Sequence, residues 1–245
     1  MPNRPSRVFA LYAASAALLI TGCGIAWASA PSTQEAGRSA QHPIVIELFQ
    51  SQGCSSCPPA NAMLNAIADR PDVLALSFAV TYWDRLGWKD IFGSPRFTAR
   101  QQDYARAGQG EVATPEMIIN GTYAIVGSDR RAFDATIAKA GAPSGGPDIS
   151  LDGANVRLTK AVARGSATVW FVRYDPRSRE VSIRAGENGG RTLPHRDIVR
   201  ELVNLGSWTG PAMSYALPPV GERGLASAVL VQRGTGGPII AARKL

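Results

Sequence analysis

Cysteine and histidine are scarce in this chain: 245 residues hold three cysteines and two histidines. That excludes a disulfide-stapled scaffold, which needs several pairs. It leaves little for a Cys/His metal centre, which would require both His42 and His195 to converge on the thiols. Charge is sparse as well, at 18% of residues, and the basic residues are scattered with no Lys/Arg run. The formal net charge of +7 therefore does not mark a nucleic-acid surface. No Ser-His-Asp arrangement, phosphate loop or Walker sequence stands out. What the chain does have is 45% hydrophobic residues and enough length for one large domain or two modest ones with real cores.

Acidic residues are missing from the first thirty positions, where Arg4 and Arg7 precede a nearly unbroken apolar run from Val8 to Ile20. This is a targeting pattern. Ala26-Trp27-Ala28 fits a cleavage site, as does Ala28-Ser29-Ala30, although Pro31 would follow that cut. Ile20-Thr21-Gly22-Cys23 fits a lipoprotein signal, with Cys23 lipidated and tethering the chain to a membrane. An uncleaved anchor reaching Trp27 is the fourth route. The favoured reading is export with cleavage, and all four routes place the remainder in a periplasmic or secreted setting. Without Arg4 and Arg7 the balance is 24 basic against 19 acidic residues, a mild +5.

With Cys23 set aside, Cys54 and Cys57 remain, in an oxidising compartment where they can pair. A two-residue gap closes a very small loop and adds little stability, so redox chemistry explains the pair better than stapling. The run Ile44–Phe49 reads as a buried strand, Gly53 supplies a turn, and Met63, Leu64 and Ile67 recur at helical spacing. Strand, Cys-x-x-Cys, helix is the layout of a thiol–disulfide site. At a helix N-terminus the dipole and free N–H groups favour a thiolate, so Cys54 is expected to be the exposed attacking sulfur and Cys57 the resolving one. Ser55 and Ser56 can donate hydrogen bonds to a sulfur anion. Pro58-Pro59 leaves two starts open for the helix, at the cysteines or near Pro58, and the second weakens the dipole argument.

Further along, residues 44–140 alternate strands and helices. Val73–Val80 is apolar, Pro95 opens a polar helix, Met117–Ile119 and Tyr123–Val126 flank the Asn120-Gly121 hairpin turn, and Gly127-Ser128-Asp129 caps a helix carrying Phe133 and Ile137. Residues 31–43 read as a flexible leader, and residues 141–148 as a Gly/Pro-rich linker. Beyond it, residues 149–245 show many short strand-like runs between turn signals, which suggests a sandwich-like β-rich domain.

Thr114-Pro115 precedes the Met117 strand, and an X-Pro bond is one that can be cis. The order of these pieces resembles the thioredoxin fold, in which a cis-proline lies against the cysteines and the residue before it presents the partner; the resemblance implies a cis Thr114-Pro115 bond. The stretches Ile44–Asn61, Ala79–Phe92, Thr98–Gln101, Thr114–Met117 and Gly186–Gly210 resemble, more specifically, a family of secreted thioredoxin-like proteins catalogued as a domain of unknown function (twelve twenty-three). The resemblance covers nearly all of the mature chain. It implies an α/β fold with a thioredoxin-like domain followed by the β-rich one. Against the family pattern, Gln50 replaces Thr, Asn61 replaces Asp, Ala79 replaces His, Thr81 replaces Asp and Glu116 replaces Gln. The loss of His and Asp removes two titratable groups beside the pair. Acid–base help would then come from elsewhere, with Glu47, Glu116 and Asp84 as candidates.

The expected activity is that of an exported thiol–disulfide oxidoreductase on protein thiols or disulfides, with Cys54 and Cys57 catalytic, Thr114 and Pro115 presenting the partner, and Ser55, Ser56, Trp83 and Glu116 in support. No resident metal or cofactor is expected. The alternatives are a periplasmic protein handling Cu(I) on the same two thiolates, or a binding protein with an inert disulfide. Tyr82, Trp83 and Trp88 either pack between the two domains or wall the sulfurs. Glu187, Asn188 and Arg191 either bridge to the first half or form a satisfied polar turn, the reading preferred to a second active site.

Overall fold

The computed structural model describes Met1 and residues 42–245. The expected targeting segment with Cys23, and the leader as far as residue 41, lie outside the described residues, Met1 apart. The described chain runs β1 (Ile44–Gln50), α1 (Pro58–Ile67), β2 (Val73–Ala79), α2 (Pro95–Arg106), β3 (Glu116–Ile119), β4 (Tyr123–Val126) and α3 (Arg130–Ala140). Strands follow: β5 (Ile149–Asp152), β6 (Asn155–Leu158), β7 (Ala167–Asp175), β8 (Arg179–Ser182), β9 (Thr192–His195), β10 (Ile198–Trp208), β11 (Met213–Ala216), β12 (Ala226–Arg233) and β13 (Ile239–Lys244).

Local chemistry accounts for most of these elements. β1 and β2 are buried along their whole length because they pair in parallel at the centre of a sheet covered on both faces, hence their continuous apolar runs. Ser94 caps α2 by accepting from the Arg96 amide, with Pro95 at the first position, and Asp129 caps α3 by accepting from the Ala132 amide. Asn120 and Gly121 take the positive φ angles of 49° and 61° that the tight β3–β4 turn requires.

The architecture is mixed α/β, built on one large mixed sheet in the order β13-β12-β7-β10-β2-β1-β3-β4. The stretches on either side of residues 141–148 thus share a sheet. Their join is the parallel pairing of Ile198 on β10 with Ser77 on β2, and residues 42–245 lie in one compact unit. The sandwich character expected for 149–245 is local: β5, β6 and β11 form a three-stranded sheet. Its Ile149, Val156, Leu158 and Tyr215 pack on Val169, Phe171, Val229 and Val231 of the large sheet.

Helix α2 covers the opposite face and spans the join, since Phe97 and Tyr104 pack with Phe49 and Phe78 on one side and with Val172 and Leu230 on the other. A buried ion pair accompanies it: Arg100 Nε donates to Glu47 Oε1 at 2.6 Å, Arg100 also donates to Gln232 Oε1 at 3.2 Å, and the Tyr104 hydroxyl donates to Glu47. The neighbouring Glu47 carboxylate holds the Arg100 guanidinium above its ordinary value despite burial.

Two elements depart from expectation. β9 has no strand signature, because Pro194 removes a backbone donor; it pairs with β8 alone in a two-stranded ribbon. β10, read from the sequence as the short run Ile198–Val203, continues to Trp208 across register shifts at Val199/Glu201 and Asn204/Gly206, and those bulges break the alternation by which a strand is read.

Candidate functional site

The chain leaves β1 through a tight turn. Gly53 N donates to Ser51 Oγ at 3.1 Å, Cys54 N to the Ser51 carbonyl at 3.1 Å, and Cys57 N to the Cys54 carbonyl at 3.2 Å. Cys54 and Cys57 form a disulfide, with their Cα atoms 5.5 Å apart. Cys57 is the N-cap of α1 and Pro58 opens the regular helix. The second of the two helix starts is therefore the one adopted. Cys54 precedes the first turn, where the dipole acts most weakly, and Cys57 holds the position nearer the helix end.

A larger correction concerns exposure. Both cysteines are 0% exposed, whereas Cys54 was expected to present an exposed sulfur. The loop that joins β8 to β9 is bonded to the cysteine turn. Asn188 donates its side-chain amide to the carbonyls of Gln52 at 2.9 Å and Cys54 at 2.8 Å. Glu187 accepts from the Ser55 amide at 3.0 Å and from the Ser55 hydroxyl at 2.7 Å, and these bonds hold its carboxyl below the usual range. Glu187, Asn188 and Arg191 thus do bridge to the first half, and Arg191 steadies the bridge by donating to Asn188 Oδ1 at 2.7 Å. Ser55 spends its hydroxyl on Glu187. Ser56 keeps the expected relation to sulfur, its Oγ 3.3 Å from Cys54 Sγ.

The loop at 81–93 braces the same turn from beneath. Buried Asp90 accepts from the Gln52 amide at 2.7 Å and the Phe92 amide at 2.9 Å. Burial pushes its carboxyl up to about 6. Trp88 Nε1 donates to Gln52 Oε1 at 2.9 Å, and its ring packs with Phe92 on Val181, Ile183 and Leu193 of the β8–β9 ribbon. Trp83 donates to Thr114 Oγ1 at 2.7 Å. Its Cβ lies 3.7 Å from where a Gly53 side chain would begin, so Trp83 connects the cysteine turn to Thr114. The aromatic trio accordingly divides: Trp83 and Trp88 border the cysteine turn, while Tyr82 reaches Gln101.

The Thr114–Pro115 bond is cis. The Pro115 carbonyl accepts from Gly127 N at 2.8 Å, and Pro115 and Ala60 of α1 close on the same point above Gly127, at 3.1 and 3.3 Å from it. Beside Pro115 runs an open groove of about 360 Å³, floored by Glu116 and walled by Ala124 and Val126. The carboxylate of Glu116 accepts from Gln101 at 2.9 Å and from the Glu111 amide at 2.7 Å, and burial raises its carboxyl above the ordinary value.

None of the three acids considered as helpers is bonded to the cysteine turn. Glu47 is engaged by Arg100 and Tyr104, Glu116 by Gln101 and Glu111, and Asp84 accepts from the Asp90 amide at 3.1 Å. Two of the departures from the family pattern, Gln50 and Asn61, meet as a buried amide pair at 3.4 Å, one turn into α1. Thr81 pairs with Thr98 at 3.0 Å. His195 is buried on the β8–β9 ribbon against Phe92, ring centroids 6.1 Å apart, and burial lowers it to about 4. Among the described residues no three His, Cys, Asp or Glu side chains gather as a metal cluster. Likewise among them, no helix is long and apolar enough to cross a membrane.

The residues that sequence reasoning passed over are Asp90 and Gln52, which with Trp88 brace the turn. Asp90 and Trp88 do lie within the Ala79–Phe92 stretch singled out above. Nothing local, however, marks a side chain that bonds a backbone 38 residues away.

A family model described as a protein of unknown function (DUF1223) matches residues 45–232. A crystal structure of a protein from Agrobacterium tumefaciens is similar, with 31% identity and a TM-score of 0.65 over 82% of this chain and 93% of that one. HBP35 of Porphyromonas gingivalis is similar in fold, with a TM-score of 0.56 at 13% identity over 84% of this chain and 75% of that one. No curated protein matches.

Proposed function

The chain belongs to the DUF1223 family, whose function is unknown, and from that premise we propose that it is an exported thiol–disulfide oxidoreductase with a thioredoxin-like N-terminal half. The observation that carries the reading is the disulfide-bonded Cys54–Cys57 pair at the mouth of α1, tied through Gly53 and Trp83 to Thr114 and the cis Pro115. The basic and apolar targeting pattern of the first thirty residues supports export.

In the oxidising direction, the thiolate of a partner dithiol attacks Cys54 Sγ. A mixed disulfide forms, the Cys54–Cys57 bond breaks, and Cys57 departs as a thiolate carrying the electron pair. The partner's second thiolate then attacks its own sulfur in the mixed disulfide and releases Cys54. The partner gains a disulfide, the protein becomes a dithiol by taking two electrons, and two protons end on the thiols. Reoxidation is by a second protein disulfide, through the same steps in reverse. The Ser56 hydroxyl stands 3.3 Å from Cys54 Sγ, where it stabilises anionic sulfur. The groove lined by Ala113, Pro115 and Glu116 gives a partner segment room beside the cis peptide bond.

Insulin reduction and reactivation of scrambled ribonuclease test the reading. The wild type is expected to catalyse at least one of them and Cys54→Ser neither. Activity that survives Cys54→Ser, or its absence from the wild type in both assays, overturns it.

A further inference from the structure

We propose that the Ala185–Arg191 loop is a hinged cover over the Cys54–Cys57 disulfide, with Glu187 as its latch, and that thiol exchange proceeds after the cover lifts. The inference rests on the oxidoreductase reading for its purpose, although its geometry stands without it.

A disulfide can be exchanged only if a nucleophile approaches one sulfur along the S–S axis, so a pair whose two residues are each 0% exposed does not react as it stands. The cover is built as a separable unit. It closes on itself at the base, where Ile183 N donates to the Arg191 carbonyl and Gly190 N to the Ile183 carbonyl, both at 2.8 Å. Gly186 and Gly190, with φ of 73° and 83°, occupy the left-handed region at its two ends. Its stem, the β8–β9 ribbon, is a two-stranded sheet separate from the large one.

Where the cover meets the cysteine turn, the contacts are polar and few. Two run from the Asn188 amide to the Gln52 and Cys54 carbonyls. Two run from Ser55 to the Glu187 carboxylate, on the solvent side. A buried apolar cluster lies in the stem, where Val181, Ile183 and Leu193 meet Trp88 and Phe92, and at the tip only Gly186, without a side chain, comes close to Gly53 and Trp88. Such a joint can part at the tip without melting the stem, the property expected of a low-stability element over a reactive centre. Glu187 is the latch rather than the hinge, because water replaces its two bonds as soon as the tip moves.

The test reads the disulfide directly and needs no protein substrate. The oxidised full-length protein is treated with excess tris(carboxyethyl)phosphine at neutral pH. Timed samples are quenched with N-ethylmaleimide, and the peptide carrying both cysteines is weighed for two adducts. Glu187→Ala is expected to be reduced about fivefold to tenfold faster than wild type, because it loses two charge-assisted bonds that are partly replaced by water. Glu187→Gln, which still accepts, should fall between them. Val156→Ala, a cavity variant in the separate three-stranded sheet, controls for general loosening. Rates for Glu187→Ala within twofold of wild type, or an acceleration no larger than that of Val156→Ala, overturn the cover. Failure of the insulin and ribonuclease assays with a normal latch effect would instead remove the oxidoreductase reading and leave the cover in place.

Discussion

Asn188 binds the carbonyls of Gln52 and Cys54 with one amide group, at 2.9 and 2.8 Å, from 136 and 134 residues further along the chain. It is itself fully buried. Replacing it with Ala strands the buried Gln52 carbonyl and leaves the Cys54 carbonyl with the Cys57 amide alone, a loss of about 1–3 kcal/mol in unfolding free energy. Asn188→Asp should cost more than Ala, since a carboxylate can only accept and would face two acceptors, even with Arg191 beside it. Urea unfolding of the three proteins gives the order; an aspartate variant as stable as wild type would show that the contact does not clamp the turn.

Asp90 has a pH-dependent signature. Its carboxyl titrates at about 6 in the folded protein, above its value of about 3.9 in an unfolded chain. The folded state therefore holds the proton more tightly, and the contribution of this group to stability is full at low pH and lost as pH rises from about 4 to about 6. Asp90→Asn lacks that titration. Its destabilisation should be largest near pH 4 and shrink by up to about 3 kcal/mol by pH 7.5. Chemical unfolding of wild type and variant across the window measures the difference, and a gap that does not change with pH would contradict it.

His195 carries the opposite sign. Burial lowers its folded value to about 4, below the ordinary 6.5 or so. Its contribution is complete above the unfolded value and lost as pH falls toward about 4, because only the unfolded chain takes up the proton. His195→Leu, beside the apolar Leu193 and Phe92, should gain about 2 kcal/mol on wild type in going from pH 7.5 to pH 5. Equal pH slopes for the two proteins would refute this.

Arg100 joins three elements. Its guanidinium serves Glu47 on β1 and Gln232 on β12 from α2, and all three side chains are buried. Arg100→Ala leaves the Glu47 carboxylate buried without its partner and should cost about 3–5 kcal/mol. Substituting both residues, Arg100→Leu with Glu47→Gln, should recover part of that loss in thermal unfolding. A double variant less stable than Arg100→Ala would count against the buried charge as the cause.

Local pattern was enough to place α1, β1 through β4, the start of α2 at Pro95 and the cap of α3, because side-chain periodicity and capping chemistry act within a few residues. It failed at β9, where Pro194 masks the strand, and along β10, where bulges shift the alternation. At the site, Cys54, Cys57, Thr114 and Pro115 were legible from spacing and context. The exposure of Cys54 was misjudged because what covers a residue depends on chain that arrives from elsewhere. Glu47 and Glu116 stood as candidate acid–base helpers for the same reason: their partners, Arg100 and Gln101, lie on α2.

The sequence by itself determined that this protein has a Cys-x-x-Cys turn between a buried strand and a helix, since both elements are written in the residues that form them. Only the tertiary structure decided that β10 would join β2 through Ile198 and Ser77, carrying the second half of the chain into the same sheet. It alone decided, too, that Glu187 and Asn188 would bond to the cysteine turn. Those outcomes rest on pairings between segments more than a hundred residues apart, where no local propensity acts and only the complementarity of two finished surfaces selects the partner.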